Sequence, residues 1–108
     1  GLPWERAKAF DGSAVMGDFV SIDNIDNSLS LTLNIDDEVI QQGGVELMMY
    51  KPQQILESLK EHFTLEDGDI VMTGTPKGVG VIEAGAQFHG IISSALQTLL
   101  ESRWRAKS

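Results

Sequence analysis

The chain has 108 residues, room for one domain at most. Eight basic against sixteen acidic residues give a net charge of −8, which argues against a nucleic-acid partner, since phosphate binding needs clustered Lys and Arg. With no cysteine, a disulfide scaffold and a thiolate zinc site are excluded, and a reducing, cytoplasmic location is expected.

Residues 1–20 hold Gly1, Pro3, Gly12 and Gly17 among scattered apolar side chains. Neither a period of 2 nor one of 3.6 holds there, which predicts loops and short extended pieces. The opening Gly1-Leu2-Pro3-Trp4-Glu5-Arg6 lacks the basic flank and apolar stretch of a signal peptide. No initiator Met stands there, so the chain is expected to be an interior segment or a processed product. No apolar run approaches the ~20 residues of a membrane span, and no membrane partner is expected.

Asp23, Asn24, Asp26 and Asn27 make a turn-rich stretch. Ser30-Leu31-Thr32-Leu33-Asn34-Ile35 alternates polar and apolar residues, which predicts a half-buried strand with Leu31, Leu33 and Ile35 inward. Asp36-Asp37 supplies a tight turn. Glu38-Val39-Ile40-Gln41 is the return strand of a hairpin, stopped by Gln42-Gly43-Gly44. Val45 to Tyr50 is apolar and of open type.

Pro52 suits the first turn of a helix, where its missing N–H costs nothing. Ile55, Leu56, Leu59 and Phe63 then fall on one helical face, so the principal helix is placed at about 52–62. A turn at 64–69 leads into Ile70-Val71-Met72, predicted as a short buried strand. Gln87 to Ile92 reads as another strand. In the tail, Leu96, Leu99, Leu100 and Trp104 fit a helix, yet the same stretch also fits a strand returning to the sheet.

Two segments are candidates for chemistry. Thr73-Gly74-Thr75-Pro76-Lys77-Gly78-Val79-Gly80 follows the apolar run directly. Glycines let a backbone turn tightly and approach a ligand, and hydroxyl and N–H donors can hold a carboxylate or phosphate oxygen. The Walker A and GxGxxG patterns are absent, and composition alone favours a structural turn. In Trp4 to Ser13, Lys8 between apolar neighbours offers a fixed charge for a cleft; a surface lysine paired with Glu5 or Asp11 is the plainer account. The acidic residues Asp23, Asp26, Asp36, Asp37 and Glu38 lack EF-hand spacing and read as solvated turns. His62 and His89 have no ligand partner at metal-site spacing.

Together the segments resemble the fumarylacetoacetate hydrolase family, in its acylpyruvase and dienedioate-isomerase branch. Pro3-Trp4 with Ala7-Lys8-Ala9-Phe10-Asp11-Gly12 resembles one family segment. The hairpin through Asp36-Asp37-Glu38-Val39 resembles a second, and Leu65 to Gly80 a third, which is the most diagnostic. The resemblance covers nearly the whole chain. It implies an α+β, mainly β fold: a partial β-roll with one principal helix, 1–108 being the C-terminal portion of the catalytic domain.

It further implies metal-dependent cleavage of acylpyruvates, or isomerisation or decarboxylation of related 2-oxo acids. Magnesium or manganese is the implied cofactor and a small 2-oxo acid the implied substrate. Lys8 matches the family's catalytic lysine beside the metal. Thr75 matches a threonine that bonds the substrate, with Gly74 and Pro76 shaping its loop. The family's metal carboxylates fall upstream of the matching Trp-Lys segment, so no metal ligand is expected in this chain. The alternatives are a non-catalytic remnant or a small-carboxylate-binding module. A homo-oligomer, or pairing with an N-terminal half, is expected.

Overall fold

The computed structural model describes residues 9–95 and 97–107. Four strands form one antiparallel sheet: β1 (Leu29–Ile35), β2 (Glu38–Gly44), β3 (Gln87–Ser94) and β4 (Gln97–Arg105), in the order β2-β1-β3-β4. Among the described residues one α-helix, α1 (Pro52–Lys60), and a 3-10 turn at Val45–Leu47 lie between β2 and β3. The fold is thus mainly β with one helix, as the sequence predicts.

Strand β1 occupies the sheet interior because both its neighbours are antiparallel returns. Leu31 pairs with Gly43 of β2 and Ile92 of β3, and Leu33 with Gln41 and Gly90. Paired residues share a face. Leu31 and Leu33 therefore share theirs with Ile92 and, through β3, with Leu100 of β4.

The β1–β2 hairpin turns on Asp36 and Asp37, both left-handed at φ 49° and 66°. This is the backbone of a two-residue primed turn, matched to the twist of its strands. Asp36 also ties the turn to β3: its N–H donates to Gln87 O at 2.8 Å, and its carboxylate accepts from Gln87 N–H at 3.0 Å.

The pairing slips one residue between Leu33/Asn34, where Gln41 and Val39 are the partners and Ile40 is the extra residue. Such a bulge re-aims the side chains beside it. Here it sets Gln41 and Gly43 on the Leu31–Leu33 face and puts Val39 on the other. The hairpin strand also continues through Gly43 and Gly44 instead of stopping at them, since both pair with β1.

Buried apolar residues among those described are Val45, Ala86 and Phe88. Phe88 pairs with Trp104 across β3 and β4, and their rings stack at 5.4 Å with 14° between planes. The tail is therefore a strand, β4. Its helical spacing of leucines yields to an available edge on β3.

Helix α1 starts where Pro52 predicts, and Gln54 Oε1 accepts from Lys51 N–H at 2.8 Å, satisfying one free donor of the first turn. It ends at Lys60, two residues early. The N–H groups of His62 and Phe63 both donate to Leu59 O, closing the last turn. Phe63 is exposed and off the helix.

The predicted buried strand at Ile70-Val71-Met72 is corrected. The segment is irregular and exposed, Met72 at 81%. An apolar run becomes a strand only with a ladder partner, and none of the four strands pairs with this one.

Candidate functional site

The Gly-rich loop 73–80 is built from the sheet outward, against β2. Gln41, re-aimed by the bulge, donates from Nε2 to Pro76 O at 3.2 Å and to Gly78 O at 3.1 Å. Gly43 is buried below the Pro76 ring, where a Cβ would lie 2.9 Å from Pro76 Cγ. Gly78, at φ +133°, presses its Cα against the Ile40 carbonyl, and no side chain fits between. Two left-handed glycines, Gly74 at φ +94° and Gly78, shape the loop in backbone geometry that side chains rarely adopt.

This seating leaves Gly74 and Thr75 exposed while Pro76 and Gly78 are half-buried. Among the described residues the Thr75 hydroxyl makes no hydrogen bond, and the residue is exposed. The structure thus brings Gly74, Thr75 and Pro76 onto one anchored loop. Lys8 lies outside the described residues. Gln41 and Gly43 are the residues that sequence reasoning missed. The paired glycines are visible in the sequence but read there as the end of a strand, and nothing in it announces the bulge at Ile40 that aims Gln41.

A separate polar cluster lies on the opposite face of β3 and β4. His89 Nε2 meets Glu101 Oε1 at 2.5 Å, and Arg103 Nη2 donates to the same oxygen at 3.4 Å. A cleft of about 270 Å³ runs beside it, lined by Asp37, Phe88, His89, Trp104 and Arg105. A second, of about 600 Å³, is lined by Ser28, Ser30, Gln42, Gly43 and Leu47. Neither includes Thr75.

Among the described residues, no three His, Cys, Asp or Glu come together to hold a metal ion. The described residues therefore do not fit the divalent metal that the resemblance implies. No described helix is long and apolar enough to cross a membrane.

The model of the fumarylacetoacetate (FAA) hydrolase C-terminal region matches residues 1–102. This chain belongs to the fumarylacetoacetate hydrolase family. Family members typically use a divalent metal. The human mitochondrial oxaloacetate tautomerase FAHD1 is 38% identical over 99 residues, covering 86% of this chain and 45% of that protein. The Escherichia coli oxaloacetate tautomerase YcgM is 38% identical over 88 residues, covering 79% and 40%. A crystal structure of a putative fumarylacetoacetate isomerase/hydrolase from Oleispira antarctica superposes with a TM-score of 0.87 at 33% identity, covering 96% of this chain and 48% of that one. The chain thus spans about half the length of the relatives it matches.

Proposed function

We propose that this chain forms the substrate-holding part of an enzyme that interconverts the keto and enol forms of a small 2-oxo acid, oxaloacetate first among them. The observation that carries the reading is the anchored loop with Thr75 exposed on it, in a chain 38% identical to two named oxaloacetate tautomerases. This narrows the acylpyruvase and isomerase expectation to a tautomerase.

Tautomerisation moves one proton between C3 and the C2 oxygen, and negative charge builds on that oxygen as the C–H bond breaks. Preorganised donors stabilise such charge better than mobile water does. In this reading the Thr75 hydroxyl and the N–H groups of loop 74–78 hold the C1 carboxylate and fix the plane of the 2-oxo unit. Lys8 supplies the fixed positive charge that the family resemblance implies. The chain's own role is therefore to bind and orient.

Cleavage of acylpyruvates is the second reading, favoured by the isomerase/hydrolase description of the Oleispira antarctica protein. It needs, in addition, a water delivered to the acyl carbonyl.

The test follows loss of enol absorbance from freshly dissolved oxaloacetate with the full chain present, beside release of pyruvate from an acylpyruvate. The tautomerase reading expects accelerated enol loss and no acylpyruvate cleavage. Cleavage without enol acceleration would replace it with the second reading.

A further inference from the structure

We propose that Gln41 is a positioning residue that fixes loop 74–80 in its substrate-holding shape. This deepens the functional reading above and rests on it. Gln41 touches no reacting atom. It acts through the backbone carbonyls of Pro76 and Gly78, which flank Lys77 one and three residues beyond Thr75.

Three observations converge on it. One amide nitrogen spans both carbonyls, at 3.2 and 3.1 Å, from a half-buried side chain. A carboxamide NH2 carries two donor hydrogens, so a single group satisfies both acceptors. The β2 bulge at Ile40 turns this side chain onto the loop's face of the sheet. Finally, Gly43 and Gly78 remove the side chains that would hold loop and strand apart.

The anchor also explains how so glycine-rich a segment can present a fixed geometry. Gly74, Gly78 and Gly80 give the free loop a large conformational entropy. None of the four strands pairs with it. Among the described residues, the two Gln41 bonds are the side-chain hydrogen bonds that reach it. Without them the loop samples conformations in which Thr75 and its neighbouring N–H groups no longer converge. The consequence falls on substrate affinity, since the donors persist but their arrangement does not.

The test compares Gln41→Met, of similar length with no donor, Gln41→Glu, of similar shape with only acceptors, and Thr75→Ala. Each is made in the full chain. Initial rates of trypsin cleavage after the exposed Lys77 read the loop, because the Gln41 bonds hold its carbonyls and not its N–H groups, and KM and kcat for oxaloacetate enol loss read the site. Faster cleavage after Lys77 is expected in both Gln41 variants, with cleavage after Arg103 in β4 unchanged. KM should rise about five- to tenfold in Gln41→Met, the scale of one or two net hydrogen bonds, and further in Gln41→Glu, while kcat stays within about twofold. Unchanged cleavage after Lys77 in both Gln41 variants would overturn the anchor. A KM raised by Thr75→Ala but not by Gln41→Met would overturn the positioning role alone. Faster cleavage in the Gln41 variants with KM unmoved in all three would keep the anchor and contradict the functional reading of the loop.

Discussion

Gly43 lies directly beneath Pro76, so close that a methyl group on Gly43 would reach to 2.9 Å from the proline Cγ. A rigid ring cannot swing aside as a flexible side chain would. The loop and the strand are therefore packed to the limit at this point. Gly90, in the same sheet, differs: a methyl there would meet the Trp104 ring at an ordinary 3.5 Å.

The pair predicts opposite outcomes for one substitution. Gly43→Ala should destabilise by about 1–3 kcal/mol, the usual cost of overpacking. Gly90→Ala should be neutral or slightly stabilising, within about 0.5–1 kcal/mol, because it removes backbone freedom from the unfolded chain. Urea unfolding of the two variants measures both.

Asp37 predicts a gain. At φ 66° it holds a left-handed conformation that disfavours most L residues. Gly at the second central position is the common choice in this turn. Asp37→Gly should therefore raise stability by up to about 1 kcal/mol, read as a Tm increase of several degrees. Asp36 should not follow it, because its carboxylate accepts from Gln87 N–H. Asp36→Gly should lower the Tm.

Asp26 predicts an acid dependence. The Ser28 hydroxyl first, and the Ser28 N–H second, hold its carboxyl below the ordinary value of 3.8. A folded-state pKa below the unfolded one contributes stability above the unfolded value and loses it as pH falls through the folded value. Asp26→Asn should therefore lower stability slightly near neutrality, where the contribution is fully present, and flatten the profile below about pH 4, where the variant and the parent converge. Thermal melts across that range check the sign. The group is fully exposed, so the effect is small.

The β1–β2 hairpin, the two-aspartate turn and the start of α1 at Pro52 were legible because each rests on a local rule: alternation, turn chemistry, a helix-compatible proline. The tail was open because Leu99, Leu100 and Trp104 satisfy two periods, and only the free edge of β3 decides between them. Ile70-Val71-Met72 misled for the converse reason: an apolar run gives no sign of whether a pairing strand exists. The loop residues Gly74, Thr75 and Pro76 were visible through their motif. Their anchor was not. Gln41 is 35 residues from Pro76 in sequence, and its aim depends on a one-residue bulge that composition does not announce.

The proposed role of loop 74–80 is to hold the carboxylate of a 2-oxo acid through Thr75. Calorimetric titration of oxalate, a non-reacting mimic of that unit, into the full chain and its Thr75→Ala variant tests it most directly. Binding by Thr75→Ala should be at least about tenfold weaker, as losing a charge-assisted hydrogen bond implies, with an unchanged Tm. Equal affinity in the two proteins would contradict it.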